Sequence, residues 1–401
     1  MKPQAYNPEW AFCTALRGRA ARWHHQQLLS AAQLVTIEAA YPLDYYRPVW
    51  PLRVGLFLFA CLGLSMAGGF SFLITGSQSP LAAGVLYCAA CFLFLEMVIR
   101  ERQLYHCGAD NALLYSGLGA AAGLIFYIFS SFIWPVSLAA YHFTLSNGYL
   151  APPLLLLLAL LVAAVVRYAD ALVSAAAFLT TLLLVALAGL QSTLGQALLP
   201  FLMMATAAGT VGLYRTLARR LSGTMLADYY ATCLLTLKVL ALAVFYLGGN
   251  YLVVREGNAA LHNLATSVQV PFAAVFYVLT AGIPLLYIEL GLRRADRPTL
   301  LVGLLTLVFS LYTLRHYHSL MPPEIAAVVA GVVLLLLSGT LLRILRPARF
   351  GFTSLPDDEP RYFNLENLIQ AQTAHAPGAP TTGGFEFGGG HSGGAGATGQ
   401  F

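Results

Sequence analysis

"YATCLLTLKVLALAVFYLGGNYL" (residues 230–252) carries one charged side chain, Lys238, in 23 residues. As a helix rising 1.5 Å per residue this stretch spans roughly 34 Å, enough for a hydrocarbon core about 30 Å thick. A run of that length with a single charge reads as a membrane span, and it decides the fold if the rest of the chain agrees. It does. The 401 residues are 58% hydrophobic and 10% charged, with a mean hydropathy of +0.71, where a soluble globular chain carries about 25% charged residues.

Working outward from residues 230–252, apolar runs of comparable length recur at 53–75, 80–99, 112–134, 150–167, 170–189, 196–214, 270–291, 299–315 and 324–343. The fold class is therefore all-α: a polytopic transmembrane helical bundle of about ten helices. The very short turn "RYADA" (167–171) leaves open whether residues 150–189 form two full spans or one full span and a re-entrant segment.

The basic residues give the orientation. Lys2 and the arginines at 17, 19, 22, 47 and 53 precede or open the first span. Arg100 and Arg102, Arg167, Arg215 with Arg219 and Arg220, and Arg293 with Arg294 and Arg297 fall in the even-numbered connections. Arg343, Arg346, Arg349 and Arg361 follow the last span. That is 19 basic residues on one side against two, Arg255 and Arg315, on the other. Positive charge collects on the cytoplasmic side of a membrane, so both termini are expected in the cytoplasm, in a bacterial cytoplasmic (inner) membrane. The net charge of +5 thus reports topology, and no nucleic-acid partner is expected. The first apolar run follows a polar stretch too long for a secretory signal. None of the six cysteines falls in a segment placed outside the cell, so no disulfides are expected.

Three regions follow: a cytoplasmic helical module (1–50), the transmembrane domain (51–345) and a cytoplasmic tail (346–401). In the first, Trp10, Cys13, Leu16, Ala20 and Trp23 recur at helical spacing. Ser30 and Gln33 have the spacing of a capping box, Leu29 and Leu34 that of a hydrophobic staple, and Pro42 ends the second helix. The tail holds a short helix within 354–372 and then a glycine-rich flexible segment. These ends are the expected surfaces for a protein partner, as the lipid bilayer is for the spans. Residues 253–269 suggest a short amphipathic piece on the outer surface.

Ionisable groups inside a membrane are costly and face a bundle interior or a water path. The candidates are Lys238, Glu96 and Glu289, all in the cytoplasmic half. Lys238 lies about 12 Å in at 1.5 Å per residue and is expected to pair with one of the two glutamates, as a structural clasp or as a transport site. A second candidate cluster, Arg315, His316, His318 and Glu324, falls at the outer end of the last two spans. His24 and His25 lack ligand spacing. Cys88-x-x-Cys91 lies within a span and reads as packing, and no metal or cofactor is expected. Gly119-x-x-x-Gly123 and the small residues of "ATAAGTVG" (205–212) suit close helix contact.

"WHHQQLLSAAQLVTIEAAYP" (23–42) followed by "RPVWPLRVGLFLFACLGL" (47–64), and "LRHYHSLMPPEIAAVVAGVVLLLLSGTLL" (314–342) with its Arg-x-Tyr-Tyr-x-Leu pattern altered at His318, resemble a broad group of bacterial polytopic inner-membrane proteins of unknown function. The resemblance implies the general plan and supplies no active-site residue. Paired catalytic aspartates, His-Glu-x-x-His, Gly-x-Ser-x-Gly and phosphate loops do not occur. The expectation is a non-enzymatic membrane protein acting through partners, in assembly or the envelope. One alternative is a secondary transporter of an ion or small solute with its site near Lys238. It would be built as inverted five-helix repeats broken at Gly68-Gly69. A second alternative is an intramembrane transferase.

Overall fold

In the computed structural model the described residues are 4–75, 79–133, 148–317 except 263, 265 and 270, and scattered positions between 328 and 343. The expected tenth span falls mostly outside them, as does the tail. Nine helices in the described residues are long and apolar enough to cross a membrane. They are α3 (Trp50–Thr75), α4 (Pro80–Arg102), α5 (Ala109–Ile128), α6 (Ala151–Tyr168), α7 (Ala171–Leu190), α8 (Thr193–Leu221), α10 (Ala231–Gly249), α12 (Ala273–Arg293) and α13 (Arg297–Tyr317). The shorter helices are α1 (Pro8–His25), α2 (Ala31–Ala40), α9 (Met225–Tyr229) and α11 (Tyr251–Leu261). No β-strand forms among the described residues, where pairing is limited to an isolated bridge from Tyr46 to Leu104. The protein is an all-α, multi-pass membrane protein.

The exterior is what lipid requires. Of the 26 residues of α3 only Ser71 is buried, and Leu58, Phe59, Leu62 and Met66 face outward. At the other extreme α10 is central, packing against α7, α8, α12 and α13. "RYADA" resolves into two full spans. Ala169 takes a left-handed conformation at φ 49°, and Asp170 caps α7 by accepting from the Val173 N–H at 3.0 Å.

Tight helix contacts fall elsewhere than the small-residue motifs suggest. A Cβ on Gly119, Gly123, Gly209 or Gly212 would meet open space. The close approach of α4 to α5 runs through Gly84, under Leu124, and Gly117, against Cys91 and Phe92. Cys88 lies 3.6 Å from the Gly117 carbonyl, so the Cys-x-x-Cys pair packs one helix on the next. Gly68 and Gly69 do not break α3, and α8 runs unbroken past Gly209 and Gly212. The observed interruption is at Asn250. Its buried side chain accepts from Leu252 N and Val253 N at 3.0 and 3.3 Å, starting α11 directly after α10. It also donates to Tyr246 and Thr313. Of the amphipathic piece expected over 253–269, α11 forms the part up to Leu261.

The N-terminal module forms as its caps dictate. Ser30 and Gln33 make both bonds of the capping box, at 3.3 and 2.9 Å, and α2 stops at Ala40, two residues before Pro42. Arg17 donates to the Glu38 carbonyl and ties α1 to α2, and Arg19 pairs with Asp228 at 3.1 Å. The apolar stripe of α1 is only partly used. Ala20 is buried and Trp10 sits beside Tyr45, but Trp23 is exposed, and Ala11 takes the inner position instead.

Candidate functional site

Lys238 is almost fully buried on α10. Its partner is neither Glu96 nor Glu289. The ammonium donates to Asp296, in the turn between α12 and α13. That turn is placed by two glycines. At Gly291 a Cβ would come within 2.8 Å of the Leu300 backbone, and at Gly303 within 2.9 Å of the Ile288 nitrogen. The end of α12 and the start of α13 therefore press together. Ala295 reverses the chain at φ 50°, and Asp296 comes to face α10, also accepting from the Thr299 hydroxyl at 2.7 Å. Burial works against the Asp296 charge, yet the bonds from Lys238 and Thr299 outweigh it and hold the carboxyl below its ordinary value. Lys238 reaches out of its helix along a four-carbon stem, with Tyr214 at 5.4 Å beneath its ammonium.

The expected partners lie elsewhere. Glu96 accepts from Arg167 at 2.7 Å and from Tyr168 at 2.9 Å, clamping α4 to α6. Glu289 pairs with Arg293 one turn along α12, with both side chains at least half exposed. In the second cluster His316 stacks on Tyr312 and meets Tyr317 edge-on, with Arg315 beside it in the last turn of α13. His318 and Glu324 lie outside the described residues.

Lys238 also lines a partly open cavity of about 190 Å³ between α8, α10, α12 and the start of α13. Arg215, Lys238 and Arg294 bring three positive charges to it and Asp296 one negative. Val211, Leu242 and Leu290 form an apolar part beside the Tyr214 and Tyr287 rings. Such a site suits a small anion with an apolar portion.

A second polar centre escaped the sequence reading. Asp110 and Asp170 are both buried where the N-terminal segment docks. Asp110 accepts from the Tyr6 hydroxyl at 2.7 Å on one oxygen and from the N–H groups of Cys107, Gly108 and Asn111 at 3.0, 3.1 and 3.0 Å on the other. Asp170 accepts from Tyr115 at 2.9 Å. Gly108 makes this loop possible. Its φ is +106°, and a Cβ there would sit 2.2 Å from the Arg53 carbonyl. Ala5 N–H completes the docking with a 2.8 Å bond to the Arg167 carbonyl. Every oxygen of Asp110 is satisfied, so this centre reads as a structural latch.

Burial lowers the His106 pKa in this latch, against the opposing pull of Asp110 and Asp170 and alongside Arg47; the Tyr6 and Tyr105 rings and Asn111 complete its surroundings. Above pH ~6.5, the ordinary histidine value, His106 is neutral whether the segment is docked or free. Below it the free state takes up a proton that the docked state resists, so docking weakens as pH falls. Protease cleavage at the α1–α2 junction should rise between pH 7.5 and 5, and His106→Gln should flatten that response.

Among the described residues no three His, Cys, Asp or Glu side chains converge as metal ligands would. Compared with models of known families, with curated proteins and with solved structures, the chain matches none.

Proposed function

We propose that this chain is a multi-pass protein of the bacterial inner membrane, with both ends in the cytoplasm, that admits a small solute from the cytoplasm to the cavity beside Lys238. Its sidedness rests on the 19-to-2 division of basic residues. One observation carries the solute reading: the buried lysine of a membrane helix lines an accessible cavity instead of lying dry in packed apolar side chains. Secondary transport is the class this favours, with the Lys238–Asp296 pair joining α10 to the α12–α13 turn. A clasp whose partner can be exchanged for a ligand gives binding a way to loosen one helix pair against another.

The test is access. Cys91, Cys107 and Cys233 are buried, so replacing Cys13, Cys61 and Cys88 by alanine leaves a quiet background for Leu242→Cys. A membrane-impermeant maleimide applied to the cytoplasmic face should label it much faster than Leu235→Cys, which lies on the exposed side of the same helix. Equal, negligible labelling at both positions would sink the reading.

A second reading, action through a protein partner, draws on α2. None of its residues is buried, and Leu28 before it and Val35 within it are 69% and 63% exposed. A photo-reactive residue at Val35 should give one discrete adduct in cells, and a smear or nothing would dismiss it.

A further inference from the structure

We infer that the group recognised in the Lys238 cavity is a phosphate monoester; this rests on the solute reading above and names its ligand class. Charge is the first reason. Asp296 accepts from Lys238 and neutralises it, while Arg215 and Arg294 enter no ion pair among the described residues. Two positive charges are left over, and they match a dianion. A phosphate monoester carries about −1.5 to −2 at pH 7 with three acceptor oxygens, and guanidinium forks bind such oxygens in pairs.

Position is the second reason. Arg294 caps the end of α12, where the helix dipole leaves negative potential that holds the cation in place, and Arg215 lines the cavity from α8. The Lys238 ammonium sits deeper, able to exchange Asp296 for a phosphate oxygen without leaving the cavity.

Size and lining are the third. A volume of about 190 Å³ equals roughly six water molecules at ~30 Å³ each. That admits a phosphate with a few carbons, and any larger group would extend through the open side of the cavity. Leu242, Leu290 and Val211 would cover the carbon portion, a surface that bare inorganic phosphate leaves unused. The same chemistry arises from two sources, a soluble ester such as glycerol 3-phosphate and the headgroup of phosphatidic acid in the surrounding bilayer.

Calorimetric titration of the full chain in zwitterionic-lipid nanodiscs with glycerol 3-phosphate tests the first source, with glycerol and succinate as comparators. Native mass spectrometry of nanodiscs containing phosphatidic acid tests the second. The expected result is glycerol 3-phosphate bound more tightly than succinate, or phosphatidic acid retained in preference to zwitterionic lipid. Affinity should weaken about tenfold for Arg215→Gln and again for Arg294→Gln, the scale of a hydrogen bond to a charged group. Because the second phosphate pKa is about 6, soluble binding should also weaken about tenfold between pH 7 and 5. Binding in the soluble arm identifies a solute, and retention of phosphatidic acid alone identifies a headgroup. Wild-type affinity in both arginine variants, or no preference for glycerol 3-phosphate over succinate together with no retention of phosphatidic acid over zwitterionic lipid, overturns the inference. If Leu242→Cys is still labelled in that case, the solute reading stands without it; if it is not labelled, both fail.

Discussion

Lys238→Met alone should destabilise the folded protein by about 3–5 kcal/mol, toward the lower end because Asp296 keeps some contact with solvent. The cost does not lie in losing an attraction. It lies in leaving a carboxylate, held ionised by its bonds, without its cation. Lys238→Met with Asp296→Asn should therefore recover most of the loss, since no buried charge remains and the amide oxygen can still accept from Thr299. Thermal melting and the monodisperse fraction after solubilisation report the difference. A double variant no more stable than the single one would show that the pair is not what Lys238 supports. The same double variant separates clasp from carrier. Restored folding with restored ligand binding would reduce Lys238 to a packing residue, whereas restored folding without binding places the ammonium in the site.

Of the Lys238–Asp296 pair, only the lysine is legible in the sequence, for physical reasons. Hydropathy locates the nine spans among the described residues, most to within a few residues and α8 with seven more at its end, because a bilayer imposes one length rule on every helix. The α2 capping box is legible for a similar reason, being a local bond pattern within four residues. Lys238 was found because a charge in an apolar run stands out. Its partner Asp296 lies between the runs, where a carboxylate does not stand out. A signal was present: Ala-Asp recurs at 109–110, 169–170, 227–228 and 295–296, in each of the four even-numbered connections ahead of the next span. Each of these aspartates bonds across or caps a helix start. Which of the four meets Lys238 depends on how α10 rotates against α12 and α13. α10 meets α12 closely at Gly249, where a Cβ would come within 2.8 Å of Ile283, while Gly291 and Gly303 fix the turn that carries Asp296, and no periodicity reveals either contact. Gly119 and Gly123 make the converse point, since a spacing that permits close contact does not say which side of the helix another chain segment will use.

Asp110→Ala is the other substitution expected to be severe, at about 3 kcal/mol or more. It strips acceptors from the Tyr6 hydroxyl and three N–H groups in a buried loop, and each donor left unsatisfied costs about 1–3 kcal/mol, without strict additivity. Asp110→Asn should be far milder. The three N–H bonds converge on a single oxygen that an amide retains, and the new NH₂ group meets a Tyr6 hydroxyl able to turn and accept. Tyr6→Phe should fall between, leaving the loop intact while releasing the N-terminal segment. Proteolysis within residues 4–30 would then increase, with a smaller fall in melting temperature than Asp110→Ala causes. This order, Ala worst and Asn least, follows if the site works through its acceptors. If Asp110→Asn proved as damaging as Asp110→Ala, the negative charge itself would be required, and the latch would have to be reconsidered as a proton-binding centre.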